Sequence, residues 1–142
     1  MVVKGDMRRT RTTSINGKYR IRYPVNLTVV CKKDVDQVDS LRHRPHCDAI
    51  YVFREKDTFY IVIIEETGVP EPRDLDKLRV CEEYLSEIVD KGGSPLIIKI
   101  LHHKGGVHRN IVSLIRRYFI EIQRCGNEIR FDRIYYRRFC TR

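Results

Sequence analysis

The stretch CDAIYVFREKDTFYIVIIEETG, residues 47–68, decides the fold. Two apolar runs, AIYVF and TFYIVII, bracket the charged segment REKD, and this pattern predicts a β-hairpin. The second run is apolar on both faces, as expected of a central strand. It leads directly into Glu65 and Glu66, and Glu65 lies seventeen residues after Asp48. The hairpin therefore predicts a buried sheet with carboxylates at one end of two neighbouring strands.

Weaker signals lie on either side of the hairpin. Upstream, KYRIRYPVNLTVVCK (18–32) alternates polar and apolar residues around Pro24, which suits an edge strand or a turn. In DVDQVDSLRH (34–43), apolar residues recur at every third position and predict a short helix. Near the other end of the sequence, EIRFDRIYYRRF (128–139) predicts a final strand or a basic tail.

Two helices are predicted downstream of the hairpin, with the buried strand PLIIKIL (95–101) between them. The first follows Pro72 and ends at Gly92 and Gly93. Its apolar stripe consists of Leu75, Leu78, Cys81, Leu85, Ile88 and Val89. The second precedes Gly126. Its stripe consists of Ile111, Leu114, Ile115, Tyr118 and Ile122.

This order of elements predicts an α/β fold with a mixed central β-sheet flanked by helices. A strand, helix, strand passage implies a parallel crossover, whereas the hairpin is antiparallel. The length of 142 residues suits one domain, and 42% hydrophobic with 33% charged residues is typical of a globular chain. No run reaches the length of a membrane span, and the stretch MVVKGDMRRTRTT lacks the apolar core of a signal peptide. We therefore expect an intracellular, cytoplasmic protein without a membrane partner.

The net charge of +9 is distributed unevenly. Residues 1–47 carry +7, residues 48–95 carry −6 and residues 96–142 carry +8. Basic flanks around an acidic centre suit a protein whose two basic segments bind a polyanion, with acidic residues between them. The basic segment 1–18 has little core material, so we predict a flexible arm there and a single domain over 19–142.

The hairpin and the elements after it resemble the PD-(D/E)XK nuclease superfamily, the fold of restriction endonucleases and Holliday junction resolvases. PHCDAI stands where that family has its first acid, and IVIIEETG where it has its second acid and a lysine. The resemblance covers roughly residues 30–101. It implies that Asp48 and Glu65 bind Mg²⁺ or Mn²⁺ against a phosphodiester, since these cations prefer hard oxygen ligands.

One position departs from the family pattern. Alternation along a strand directs Glu65 and residue 67 into the site and Glu66 away from it, but residue 67 is threonine. In an alternative alignment on Gly68, Glu66 takes the place of the lysine. Lys77, in the first turn of the next helix, is the candidate for a lysine that has migrated into the site.

The remaining predicted contacts are basic residues for a nucleic acid, with DNA preferred. They comprise Arg8, Arg9, Arg11, Lys104, Arg109, Arg116, Arg117, Arg124, Arg137 and Arg138. Lys104 and Arg109 flank a glycine-containing loop before a helix, where backbone amides favour phosphate. In RFDRIYYRRF, arginines alternate with aromatic residues that suit base stacking or packing on the core.

The predicted function is nucleic-acid binding with a nuclease-like core. Two forms of it stay open, a Mg²⁺-dependent endonuclease and a nucleic-acid binder that has lost catalysis with the lysine of the family pattern. The alternative is an inactive interaction or assembly module whose basic surface meets an acidic protein. Whether the chain forms a homodimer is left open. The five cysteines form no zinc or redox motif, which favours free thiols. Arginine outnumbers lysine by 19 to 9, as in heat-adapted proteins, so one disulfide remains an alternative.

Overall fold

A computed structural model describes residues 9–39, 41, 43–89, 94–124 and 126–140, without the side chains of 87–89. The strands are β1 (Thr10–Ile15), β2 (Lys18–Pro24), β3 (Thr28–Asp34), β4 (Ala49–Glu55), β5 (Thr58–Thr67), β6 (Leu96–His103), β7 (Ile120–Arg124) and β8 (Ile129–Arg130). The helices are α1 (Pro72–Val89), α2 (Arg109–Arg117) and α3 (Phe131–Phe139). None of the helices in these ranges is long and apolar enough to cross a membrane.

The main sheet has five strands in the order β3-β4-β5-β6-β7. The first three strands are antiparallel neighbours, while β5, β6 and β7 run parallel. The predicted hairpin is therefore confirmed as β4 and β5, and the mixed α/β class is confirmed with it. Strand β5 lies in the centre and buries six consecutive residues, Tyr60 to Glu65, as its unbroken apolar run predicts.

The two faces of this sheet carry separate cores. One face packs against α1 and α2, through residues such as Ile63, Leu78 and Ile115. The other face is covered by α3 and by a second, three-stranded sheet in the order β1-β2-β8, through residues such as Phe53 and Phe131. Successive residues of β4 and β5 pack alternately into the two cores. The same alternation decides on which face of the sheet a polar side chain near the strand end lies.

Cys47 and Cys81 form a disulfide that links the residue before Asp48 to the middle of α1. Both residues are fully buried. The preference for free thiols is therefore wrong at these two positions, where the alternative of one bridge applies. Cys31 and Cys140 are free, and Cys125 lies outside the described residues.

The structure differs from the predicted arm over residues 1–18. Thr10–Ile15 is strand β1, which pairs antiparallel with β2 and packs Ile15 into the core. Its threonines and terminal isoleucine favour a strand, and the Asn16–Gly17 turn, with positive φ at both residues, closes the hairpin. Residues 1–8, including the predicted contact Arg8, lie outside the described part of the chain.

Three further segments differ from prediction. The short helix expected after Asp34 is a 3-10 turn over Val35–Gln37. The second predicted helix stops at Arg117, because Phe119 adopts a positive φ of 56° and the β-branched residues that follow form strand β7. Ile122 and Arg124 therefore lie on a strand. The expected final strand or tail forms mainly helix α3, since its buried residues Phe131, Ile134 and Tyr135 have helical spacing.

Candidate functional site

Asp48 and Glu65 lie beside each other at one end of the main sheet. Ala49 pairs with Ile64, and the backbone N–H of Asp48, in the bend just before β4, donates to the carbonyl of Ile64 at 2.8 Å. Besides burial, the charge of Asp48 raises the pKa of Glu65, and Lys77 of α1 opposes the rise in pKa of both acids, so the two side chains are neighbours. The two carboxylates therefore meet on the face covered by α1.

Lys77 reaches this pair from the first turns of α1. Its Nζ lies 3.2 Å from Oε2 of Glu65 and donates a hydrogen bond to it. The Glu65 side chain is only 2% exposed, whereas that of Lys77 is 25% exposed. The lysine thus connects a buried carboxylate to the surface, and all three predicted site residues are brought together.

The second oxygen of Glu65, Oε1, is buried and has no hydrogen-bond partner among the residues described. Such an atom costs free energy unless a proton, a water or a cation satisfies it. The pKa of Glu65 is raised to about 8, first by burial and then by the charge of Asp48, while Lys77 acts in the opposite direction. The site therefore favours an added positive charge beside Oε1.

Burial also raises the pKa of Asp48, and the backbone N–H of Glu66 opposes this by donating to Oδ2 at 2.7 Å. The bond fixes the orientation of the Asp48 carboxylate against the end of β5. Asp48 and Glu65 thus share one environment in which two negative charges are costly.

Asp74 is a positioning residue that the sequence analysis did not identify. It is 6% exposed, and its Oδ2 accepts a hydrogen bond from the N–H of Glu71 at 2.8 Å. The bond fixes the first turn of α1, so Lys77, three residues later on the same helix face, is directed at Glu65. The spacing of Asp74 and Lys77, three residues apart, was the sequence signal from which this role could have been predicted.

Glu66 points to the opposite face, as alternation along the strand predicts. Its Oε2 lies 3.1 Å from Nδ1 of His102, which is buried on the neighbouring strand β6. The same face holds Tyr51, whose hydroxyl donates to the carbonyl of Tyr19 at 2.6 Å. Pairing of Glu66 with His102 leaves the alternative alignment, with Glu66 in the place of the lysine, without support from the geometry.

The carboxylates fit a hard divalent cation, because Glu65 provides an unsatisfied buried oxygen and Asp48 lies beside it. Among the residues described, no group of three or more His, Cys, Asp or Glu side chains is arranged to hold a metal. Two carboxylates are nevertheless sufficient for Mg²⁺, which usually retains several waters. Asp48 and Glu65 are therefore the residues that could hold it.

Lys104 lies close to the same end of β5. Its backbone N–H donates to the carbonyl of Gly68 at 3.0 Å, and that of Gly105 does so at 2.7 Å. A Cβ added to Gly105 would lie 2.6 Å from the side chain of Val69, so a larger residue here would displace that side chain. The loop after β6 is thus held against the chain that leaves Glu65.

The other predicted basic contacts are exposed but lie on several elements. Arg109, Arg116 and Arg117 belong to α2. Arg137 and Arg138 of α3 both contact Glu121, while Arg124 and Arg137 line one cavity. Arg9 and Arg11 lie before and on the exposed side of β1. The predicted set is therefore not one continuous row.

Comparison of the chain with protein-family models, with curated proteins and with solved structures found no significant match.

Proposed function

We propose that the protein is a Mg²⁺- or Mn²⁺-dependent phosphodiesterase that acts on nucleic acid, with a site built as in PD-(D/E)XK nucleases. The observation that carries the proposal is the 3.2 Å contact between Lys77 and Glu65, with Asp48 beside Glu65. An acid on each of two neighbouring strands and a lysine beside them is the set that hydrolysis of a phosphodiester needs.

Lys77 takes the role that Thr67 does not provide. Its stem comes from α1 and its ammonium lies at the edge of the site, partly exposed. In that position it donates to Glu65 and can also orient a water or contact a phosphate oxygen. The migrated lysine therefore supplies the positive charge that the strand itself lacks.

A divalent cation bound by Asp48 and Glu65 would polarise the phosphodiester and lower the pKa of an attacking water. The residues of the chain hold that cation, orient the substrate and supply a proton donor beside it. The raised pKa of both acids, caused first by their burial, favours a cation over two free carboxylates.

A polyanionic substrate fits the charge of the chain. The net charge is +9, and Lys104 lies at the strand end that carries Glu65. Neutralising phosphates releases counterions, so affinity for nucleic acid should fall steeply with salt. Endonuclease activity on DNA is the specific form of this proposal.

The test is calorimetric titration of Mn²⁺ into the wild type and into the double variant Asp48→Asn/Glu65→Gln, with plasmid cleavage measured in parallel. The control Asp57→Asn/Glu83→Gln removes the same charge from two exposed residues away from the site. We expect the control to keep metal binding and cleavage, and the site variant to lose both.

Negligible Mn²⁺ binding by the wild type would overturn the metal site. Salt-sensitive DNA binding without cleavage would favour an inactive nucleic-acid binder. If the protein neither binds DNA nor cleaves it, the alternative of an interaction module with an acidic protein partner would be favoured.

A further inference from the structure

A cavity of about 590 Å³ lies between β7, the segment before β8, and α3. Small-molecule sites typically occupy about 300 to 1,000 Å³. Gln123 ties its walls together: its amide Nε2 donates to the carbonyl of Arg130, and its Oε1 accepts from the N–H of Arg130, both at 2.9 Å. These two bonds hold β7 and Arg130 in a fixed relative position, so the cavity is preformed.

The lining of the cavity is rich in arginine. Four guanidinium groups line it, those of Arg124, Arg130, Arg133 and Arg137. The two carboxylates of the lining are already engaged, because Glu121 pairs with Arg137 and Glu128 pairs with Arg22 at 2.7 Å. No acid of the lining is therefore left to neutralise the remaining arginines.

Two of the four arginines are available for a ligand. Asp132 holds Arg130 through two hydrogen bonds of 2.9 and 2.7 Å, and Glu121 holds Arg137. Arg124 and Arg133 are exposed and make no hydrogen bond or ion pair with any other residue described. Guanidinium groups bind phosphate and carboxylate with two parallel hydrogen bonds, so this lining selects an oxyanion.

The cavity lies at the same end of the main sheet as the carboxylates. Thr67 pairs with His103, which pairs with Arg124, so the three residues form one row across β5, β6 and β7. Neighbouring strands lie about 4.8 Å apart, so Arg124 begins about 10 Å along the sheet from the strand of Glu65. Helix α3, which also lines the cavity, lies on the face of the sheet opposite to α1 and the carboxylates, so a nucleic acid that contacts both sites must pass the β7 edge of the sheet.

We infer that the arginine cavity, formed around Arg124 and Arg133, binds a backbone phosphate of the nucleic acid at a distance from the phosphodiester that lies at Asp48 and Glu65. This inference rests on the proposed function. It assigns the cavity to positioning of the substrate, because phosphate contacts fix orientation and register without reading bases.

The experiment measures fluorescence anisotropy of a labelled DNA oligonucleotide in EDTA over a series of salt concentrations, so that cleavage does not contribute. The variants are Arg124→Gln/Arg133→Gln and the charge-preserving Arg124→Lys/Arg133→Lys. The control Arg54→Gln/Lys56→Gln removes two charges from exposed residues at the opposite end of the β4–β5 hairpin.

Loss of the one phosphate contact made by the two arginines should lower the slope of log affinity against log salt by about 0.7 to 0.9 and weaken binding by about tenfold at 0.1 M salt. The lysine variant should retain most of the salt slope, and the control should match the wild type. Equal affinity and slope for the glutamine variant and the wild type would overturn the inference, whether or not the protein cleaves DNA.

Titration with inorganic phosphate separates a site for a free anion from a site for nucleic acid. A glutamine variant that loses phosphate binding but keeps its oligonucleotide affinity would overturn the assignment to nucleic acid. A variant with weakened DNA binding, in a protein that shows no metal-dependent cleavage, would support the cavity and contradict the proposed activity. Unchanged circular dichroism confirms that each variant is folded.

Discussion

Cys47 is bonded to Cys81, and this bond joins the two segments that carry Asp48 and Lys77. Cys47 directly precedes Asp48, and Cys81 lies four residues, about one helical turn, after Lys77. The disulfide therefore fixes the helix that supplies the lysine against the strand that supplies the first acid.

Removal of this bond should destabilise the protein and loosen the site. The bridge closes a separation of 34 residues, for which chain entropy predicts a loss of about 3 to 4 kcal/mol in the free energy of unfolding. Urea unfolding of Cys47→Ala/Cys81→Ala, with Cys31→Ala as control, measures the effect. A double variant as stable as the wild type, and equally insensitive to reductant, would show that the bond contributes nothing.

Lys77→Met should leave the buried Glu65 without its cation. We expect a decrease of about 1 to 3 kcal/mol in the free energy of unfolding at pH 8, since a buried charge loses its hydrogen bond. Any metal-dependent cleavage should fall with it, and Lys77→Arg should restore part of both. The control Arg79→Met removes a more exposed cation from the same helix. Unchanged cleavage by Lys77→Met would exclude a catalytic role for the lysine.

Glu65 should give the metal-free protein a distinct dependence on pH. Its pKa is raised from 4.5 to about 8, first by burial, so between these values the folded state binds a proton that the unfolded state releases. This group therefore lowers stability as pH rises from about 4.5 to about 8. Glu65→Gln removes the effect, so the variant should gain stability relative to the wild type between pH 5 and pH 8. Urea unfolding in EDTA at both values provides the measurement, and a constant difference would contradict the assignment.

Metal binding should depend on pH for the same reason. A cation at Glu65 must displace its proton, so below about pH 8 the affinity for Mn²⁺ should rise by about tenfold per pH unit for one proton released. Calorimetry at pH 6.5, 7.5 and 8.5 tests this, in buffers with different enthalpies of ionisation. A pH-independent affinity would place the metal elsewhere.

Gly105 and Gly106 offer a matched pair in the loop that carries Lys104. A Cβ at Gly105 would lie 2.6 Å from Val69 and 3.3 Å from the carbonyl of Gly68, whereas one at Gly106 meets nothing within 4 Å. Gly105→Ala should therefore cost about 1 to 3 kcal/mol through overpacking, and Gly106→Ala should be nearly neutral. Thermal unfolding of both variants checks this, and equal melting temperatures would refute it.

The parts of the fold that were predicted correctly have strong local patterns. The hairpin of β4 and β5 follows from an apolar run on both faces, and α1 from its stripe between Pro72 and Val89. The alternation that separates Glu65 from Glu66 follows from strand geometry alone. Lys77 was reached through its place on a helix that follows the strand, and the structure puts it at Glu65.

The errors arise where tertiary contacts overrule a local pattern. Ile122 continued the helical stripe of α2, but the positive φ of Phe119 ends the helix and the chain joins β6 as an edge strand. The Cys47–Cys81 bond joins distant segments, which no spacing rule identifies. Likewise, Glu66 and His102 meet only because β5 and β6 pair in one particular register.

Pairing of β2 with β8 also has a consequence for how the chain is assembled. Ile21 aligns with Ile129, so the second sheet closes a loop of more than one hundred residues. Contacts between residues so far apart in sequence are expected to form late, because the entropy of closing the loop is lost before the contacts can stabilise the chain. During synthesis at the ribosome, β1 and β2 form without their partner strand β8 until the segment after Glu128 has been made. In that interval, the face of β4 and β5 that α3 later covers is open to solvent and to other chains.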